Sequence, residues 1–208
     1  MDKTFFVIDN FYNDPDQIRQ KVLSGDGFSW FPNQTSYSFP NGNAPFLGKM
    51  TREKYVPDHQ VDFVVSKVLG KNVAPIMRKD HGTFRLTLEN EKENMFTHLV
   101  HSDGVYEENK NAWAGIVYLT PVTEEIEGTI FYKNTVLNRS QCESKSDYDT
   151  IQKIGNDNPV QWRKELMSYF VYNRLIVYRG DLFHSPGPGF GTDDQSGRLI
   201  QLLFWEEL

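Results

Sequence analysis

The sequence predicts a mainly β protein, a sandwich or barrel of short strands with helices to one side, and three observations carry the prediction. From residue 82 onward the apolar pattern has a period of two, in short runs separated by turns rich in Gly, Asn, Glu or Pro. Ahead of it, two stretches repeat apolar residues at helical spacing, so a strand series follows helices. Aromatic residues make up 14% of the chain and charged residues 24%, the balance of a soluble protein rich in strands and loops.

Residues 4–8 read as an edge strand. Asn13-Asp14-Pro15-Asp16 is a helix start, with Asp14 at the cap and Pro15 at the first helical position, and Ile18, Val22 and Leu23 keep helical spacing until Gly25. Residues 28–50 show no sustained period; Pro32, Pro40, Pro45 and Gly42 punctuate an aromatic segment expected to be an ordered loop that packs by its rings. Pro57-Asp58 opens a second helix whose stripe of Val61, Val64, Val65 and Val68 should face the core, closed by Gly70. Strands are then expected over 83–89, 95–103, 113–120, 128–133, 175–178 and 198–205. Residues 135–170 interrupt that series with a polar stretch and a helix expected to begin at Pro159 and run through Trp162 to Met167.

At 208 residues the chain is long enough for one substantial core and short for two. The expectation is one barrel domain over 1–208, with N-terminal helical support to about residue 80 and an insertion at about 135–170. A net charge of −6 argues against nucleic acid as a partner, since non-specific binding needs a basic face. Cys142 is the one cysteine, which excludes an intramolecular disulfide and a cysteine-rich zinc site. The start carries only Phe5-Phe6-Val7-Ile8 before Asp9, too few apolar residues for a signal-peptide core, and no run approaches the ~18 apolar residues of a membrane span. The expected location is the cytoplasm.

The chemistry concentrates in Thr97-His98-Leu99-Val100-His101-Ser102-Asp103-Gly104. In a strand, alternate residues share a face, so His101 and Asp103 point into one cavity and supply two thirds of the facial triad that holds non-haem Fe(II). The expected third ligand is His184, at the end of the strand-like run that begins at Val177. Arg198 stands at the mouth of the last apolar strand, where a guanidinium suits a dicarboxylate. His98 shares its parity with Phe96 and Val100 and falls on the opposite face; His59 and His81 lack a partner at ligand spacing and are expected at the surface. The order and spacing of these residues are those by which a double-stranded β-helix, the jelly roll of cupin-like proteins, gathers three ligands and an anchor for a cosubstrate.

His101-Ser102-Asp103, Ala114-Gly115-Ile116-Val117-Tyr118-Leu119-Thr120-Pro121, Gly128-Thr129-Ile130-Phe131-Tyr132, Asn173-Arg174-Leu175-Ile176-Val177-Tyr178, His184-Ser185 and Gly197-Arg198-Leu199 together resemble the Fe(II)/2-oxoglutarate-dependent dioxygenase superfamily, nearest its prolyl-hydroxylase-like members and related uncharacterised bacterial and phage proteins. The resemblance extends to the start, Val7-Ile8-Asp9-Asn10-Phe11 with Asp14-Pro15. It implies His101, Asp103 and His184 as ligands of a catalytic iron, with Arg198 and Tyr118 on the distal carboxylate of 2-oxoglutarate. It further implies O2 as co-oxidant and release of succinate and CO2. Two positions depart from the pattern: Ile200 stands where a hydroxyl residue often shares that carboxylate, and Glu127 where a first glycine is common.

With Asp103 present all three protein ligands are supplied, which favours hydroxylation over halogenation. The substrate class stays open between a protein side chain, a free amino acid and a small metabolite, and the oligomeric state is not written in the sequence. Two other classes share such a barrel: a cupin-like metal-binding isomerase, which more often shows a His-x-His pair and needs no Arg198, and a non-catalytic binding module. The insertion at 135–170 is also a candidate lid over the metal, because its ends adjoin barrel strands and its polar first half, which includes 137–150, is expected to bury little surface.

Overall fold

A computed structural model describes residues 4–32, 38–39, 42–43, 48–56, 60–76, 80–89, 100–103, 112–154 and 158–208. Several expectations lie outside them: the strand over 95–99 with His98, the helix opening at Pro57-Asp58 with His59, and most of the aromatic segment between Pro32 and Gly48. In chain order the elements begin with β1 (Phe5–Ile8), α1 (Pro15–Ser24), β2 (Trp30–Pro32), β3 (Ser38–Phe39), β4 (Gly42–Asn43), β5 (Lys49–Thr51), α2 (Gln60–Leu69) and β6 (Val73–Pro75). The strand series is β7 (Phe84–Thr87), β8 (Ala112–Tyr118), β9 (Glu127–Asn134), α3 (Lys145–Ile154), β10 (Trp162–Tyr169), β11 (Leu175–Arg179), β12 (His184–Pro186) and β13 (Arg198–Glu207).

Two antiparallel sheets carry the architecture, beside a separate two-stranded β3-β4 pair. The larger has the order β1-β11-β8-β13-β7-β5-β2, with β6 also on β13; the smaller is β10-β9-β12, and His101 bridges to β12 on its open side. From β7 onward the chain therefore passes from large sheet to small and back, which is the winding of a double-stranded β-helix. β8 is buried along its whole length and β13 from Arg198 to Trp205. Their alternate residues nevertheless feed two different cores. Trp113, Val117, Leu199, Leu203 and Trp205 pack outward with Val22 of α1 and Val65 of α2, whereas Ala114, Ile116, Tyr118, Ile200, Leu202 and Phe204 pack inward against Phe131 of β9. The inner face is the floor on which the site is built.

The N-terminal elements form as their end signals dictate. The Asp14 carboxylate accepts from Gln17 N–H at 2.9 Å, Pro15 fills the first turn, and Gly25 closes α1 at φ +76, a region open to glycine without strain. α2 docks along Val61, Val65 and Leu69, one residue per turn, and the Trp205 indole donates to Asp62 at 2.8 Å. Val64 lies off that row and stays 37% exposed, which corrects the expected four-valine stripe. No helix among the described residues is long and apolar enough to cross a membrane.

Three further expectations change. The 28–50 segment holds β2 and β5, which pair with one another and, through Met50↔Arg85, extend the large sheet; strands of three residues are too short to display a period. The stretch after Pro159 is one 3₁₀ turn followed by strand β10 where a helix was expected. Register shifts between Lys164 and Leu166 and between Ser168 and Tyr169 break its alternation, so Trp162, Leu166 and Met167 fall at helical spacing by accident of the bulges. The helix of this region is α3, started by the Ser144 hydroxyl accepting from Asp147 N–H at 3.1 Å. It buries Ile151, which joins Cys142, Ile130, Tyr132 and Phe183 in a third cluster. Residues 137–150 therefore help cover the far face of the small sheet, and the lid expectation loses its premise of little buried surface.

His81, expected at the surface, is 2% exposed, and its Nδ1 accepts from Phe204 N–H at 2.9 Å. Burial holds its pKa below the ordinary value, and the N–H donor requires a lone pair on Nδ1. A lowered histidine pKa means that below about pH 6.5 the unfolded chain takes up a proton the folded chain refuses. Stability carried by His81 is thus complete above that value and falls with acid, by up to about 1.4 kcal/mol per pH unit. His81→Gln, which keeps an acceptor, should flatten the difference between denaturant midpoints measured at pH 7.5 and pH 5.5 relative to the parent protein; an unchanged difference would remove His81 from the account.

Candidate metal centre

The site begins with backbone pairing. His101 N–H donates to His184 C=O at 2.9 Å and His184 N–H to His101 C=O at 2.9 Å, so the two residues form a directly opposed, hydrogen-bonded antiparallel pair. Directly opposed side chains share a face, and the two imidazole centroids lie 4.3 Å apart. Asp103 stands two residues beyond His101 on the same face, held by Asp103 N–H to Gly180 C=O at 2.7 Å. Its carboxylate comes to 3.7 Å from His101 Nε2 and 3.4 Å from His184 Nε2. The three donor atoms lie within 4.8 Å of one another, and His101, Asp103 and His184 form the one such group among the described residues. Val100, whose parity His98 shares, is buried in the cluster behind the small sheet.

His184 Nδ1 lies 2.9 Å from Leu182 C=O, which accepts only, so a proton on Nδ1 satisfies that contact and Nε2 is the nitrogen turned toward the carboxylate. Lone pairs and an anion converging at this distance repel unless a cation or a donor lies between them. The Tyr178 hydroxyl stands at this point, 3.0 Å from His184 Nε2 and 3.5 Å from Asp103 Oδ2. Burial and the Asp103 charge hold this phenol well above its ordinary pKa, so it keeps its proton. Two imidazole nitrogens and one carboxylate suit a divalent transition metal, and a histidine whose second nitrogen is tied to a carbonyl is the usual support for such a ligand.

At the other end of the inner face sits Arg198, 2% exposed. One of its terminal N–H groups donates to Gly128 C=O at 3.0 Å, its Nε is buried without a hydrogen-bond partner, and its guanidinium lies 5.7 Å from the Phe170 ring centre. Burial lowers its pKa to about 10, which still leaves it a cation at neutral pH. No carboxylate among the described residues pairs with it. Such a charge costs several kcal/mol to bury, and an anionic ligand would offset the cost. Tyr118 adjoins it, its hydroxyl donating to Thr129 Oγ1 at 2.9 Å. A Cβ on Gly128 would come within 2.6 Å of that hydroxyl, so only glycine lets β9 pass so close. Ile200 is an inner-face wall residue without a hydroxyl, and Glu127 faces outward to Lys164 at 3.0 Å.

The cleft between these ends is lined by the triad, Tyr178 and the inner face of β8 and β13, together with Asp80 and Arg85. The sequence assigns no role to Tyr178 or Asp80. Arg85 is cross-strand partner of Ile200, so parity turns it inward, while Phe84 and Leu86 enter the outer core.

Solved structures similar to this chain include SnoK, a non-haem α-ketoglutarate-dependent carbocyclase from nogalamycin biosynthesis (TM-score 0.57, 11% identity, covering 99% of this chain and 80% of that one). HygX from Streptomyces hygroscopicus, with nickel, 2-oxoglutarate and hygromycin B bound, aligns at TM-score 0.54 and 11% identity, covering 99% of this chain and 84% of its own. EctD from S. alaskensis, with 2-oxoglutarate and 5-hydroxyectoine, gives 0.53 and 14%, covering 99% and 73%. At these identities the likeness establishes the jelly-roll fold. No curated protein matches, and a family model described as "Family of unknown function (DUF6445)" matches residues 2–204.

His101→Ala and His184→Ala should each abolish tight Fe(II) binding, measured by anaerobic calorimetry, while the circular dichroism spectrum keeps its parent form. Their backbone bridge does not need an imidazole, and neither ring belongs to the apolar clusters. Retained metal affinity in both variants would remove the triad.

Proposed function

We propose that this chain, which belongs to the DUF6445 family, is a non-haem Fe(II)/2-oxoglutarate-dependent oxygenase that hydroxylates a C–H bond of its substrate. The observation that carries the reading is one barrel face with a metal-competent triad at one end and, at the other, a buried guanidinium without a carboxylate among the described residues. The fold shared with 2-oxoglutarate-dependent enzymes supports it.

With O2, the bound iron and 2-oxoglutarate would supply the oxidising power, releasing succinate and CO2. His101, Asp103 and His184 would hold the metal from one side and leave the other for ligands. The Leu182 carbonyl fixes the ring of His184 and the proton on its Nδ1, so its lone pair is aimed before the metal arrives. Arg198 would take the distal carboxylate of the cosubstrate, an ion pair in which the buried cation gains the partner it lacks. Tyr118 stands at the same end, and Ile116, Ile200 and Leu202 form an apolar wall along the path between, which excludes water from a dicarboxylate laid across it.

Anaerobic addition of Fe(II) and 2-oxoglutarate to the whole chain should produce a visible metal-to-ligand charge-transfer band, and its absence would overturn the reading. Arg198→Ala should raise the 2-oxoglutarate concentration needed for the band by an amount corresponding to about 2–5 kcal/mol while leaving Fe(II) affinity in place. Arg198→Lys should recover part of the loss, since a point charge lacks the fork of a guanidinium. Unchanged cosubstrate affinity in Arg198→Ala would transfer the anchor elsewhere.

A further inference from the structure

Tyr178 faces the triad from the large sheet, and the proposed chemistry leaves its hydroxyl without a part. β11 pairs with β1 on one side and β8 on the other, through Phe5↔Tyr178 and Tyr178↔Ala114, so the strand that carries it is fixed along both edges. Its ring stands edge-on to Phe131 at 5.1 Å and to His184 at 4.8 Å, and the residue is 2% exposed. The phenol oxygen lies on the axis about which the ring turns, so rotation of the ring does not move it. The hydroxyl therefore keeps its place whether the site is empty or loaded.

Its partners do not. Among the described residues the hydroxyl meets His184 Nε2 at 3.0 Å and Asp103 Oδ2 at 3.5 Å. A ring nitrogen that ligates a metal has neither a hydrogen to donate nor a lone pair to offer, so loading removes the nearer partner, whatever proton that nitrogen carries in the empty site. A buried hydroxyl left unpaired is costly, and a bond to an ionised carboxylate is the stronger kind. Asp103 Oδ2 is thus the acceptor to which the phenol turns when a metal arrives.

That bond bears on how Asp103 ligates. Its two oxygens face different imidazoles, Oδ1 at 3.7 Å from His101 Nε2 and Oδ2 at 3.4 Å from His184 Nε2, so the triad itself selects neither. Carboxylates bind metals through one oxygen or through both. Tyr178 breaks the tie, because it approaches Oδ2. On a six-coordinate metal, two histidines and one carboxylate oxygen leave three positions, two for a keto acid and one more; a chelating Asp103 would consume that last position.

We infer that Tyr178 is a positioning residue for the metal: on loading, its hydroxyl passes from His184 to Asp103 Oδ2 and restricts that carboxylate to ligation through Oδ1. The inference rests on the triad as a metal site and deepens the oxygenase reading, and the experiment separates the two. The whole chain is loaded with Mn(II), and the waters on the ion are counted from the broadening of its electron paramagnetic resonance lines in water enriched in oxygen-17, before and after addition of 2-oxoglutarate.

The parent protein should hold about three waters, one for each position the triad leaves, and about one once 2-oxoglutarate is bound. Tyr178→Phe, which keeps the ring and removes the hydroxyl, should hold about two as Asp103 chelates, and none with 2-oxoglutarate. About two waters in the parent would mean that Asp103 chelates beside an intact phenol, and about three in both proteins that the hydroxyl plays no part in ligation; either result overturns the inference and leaves the metal site standing. Lost packing alone would lower the thermal midpoint of the variant with its water count unchanged, which counts against the inference. Where 2-oxoglutarate displaces no water from the parent, the oxygenase reading falls and the role of Tyr178 is still decided by the counts without it. A parent protein that binds no Mn(II) overturns both. Should Tyr178→Phe misfold, Tyr178→Met takes its place, since a flexible thioether refills the space without a hydroxyl.

Discussion

The reciprocal hydrogen bonds between His101 and His184 are the constraint on which the site depends. Backbone pairing puts them together, and the sheet behind it holds the pair in place. β12 is three residues long and is fixed on its other side by His184↔Phe131 and Ser185↔Ile130 of β9. Because main-chain hydrogen bonds need no particular side chain, the strands can carry polar groups at a position that apolar residues would otherwise fill. The pair is backed by the clusters on both faces of the small sheet, Phe131 and Tyr178 within and Ile130, Tyr132 and Phe183 behind.

The same logic divides labour between the sheets. The small sheet, with the strand of His101 beside it, supplies the candidate metal ligands, and the large sheet supplies the charged and hydroxyl groups: Arg85, Arg198, Tyr118 and Tyr178. Their spacing is set by strand register. Ile200 pairs with Tyr118 on one side and Arg85 on the other, and Phe204 and Tyr178 both pair with Ala114. On the outer face Gln201 closes the arrangement from behind, accepting from the Tyr12 hydroxyl at 2.5 Å and donating to Tyr55 C=O at 2.8 Å. A buried amide among Leu199, Leu203 and Trp205 is satisfied only in this register, which makes it a marker against slippage.

Legibility in the sequence followed the same physics. The long strands β8, β11 and β13 were readable because burial on one or both faces imposes apolar runs or alternation, and α1 because its cap, proline and terminal glycine are local signals. His101, Asp103 and His184 were readable because period two ties parity to face. β10 was misread because bulges reset its phase, and α3 because its buried residues lie in a polar context. His81 shows a different limit: its acceptor role depends on a backbone N–H of Phe204, remote in sequence. Tyr178 sits in an apolar strand where a phenol reads as packing, and its hydroxyl acquires meaning only when β12 brings His184 against it. Arg85 needed one fact a single strand cannot give, namely which of its two faces is the inside.

That last fact also explains why the inner face tolerates two guanidiniums. Burying either one alone on an apolar wall would be costly, and the large sheet compensates through its outer face, where Val22, Val65, Phe84, Leu86, Leu199, Leu203 and Trp205 form a core free of charge. A slip of β13 by one residue would exchange the faces, driving Arg198 among those side chains and turning Leu199 into the cleft. The penalty for that exchange is the buried cation itself. Arg198 thus matters to the fold as well as to the cleft: a one-residue slip of the strand would bury its charge among apolar side chains.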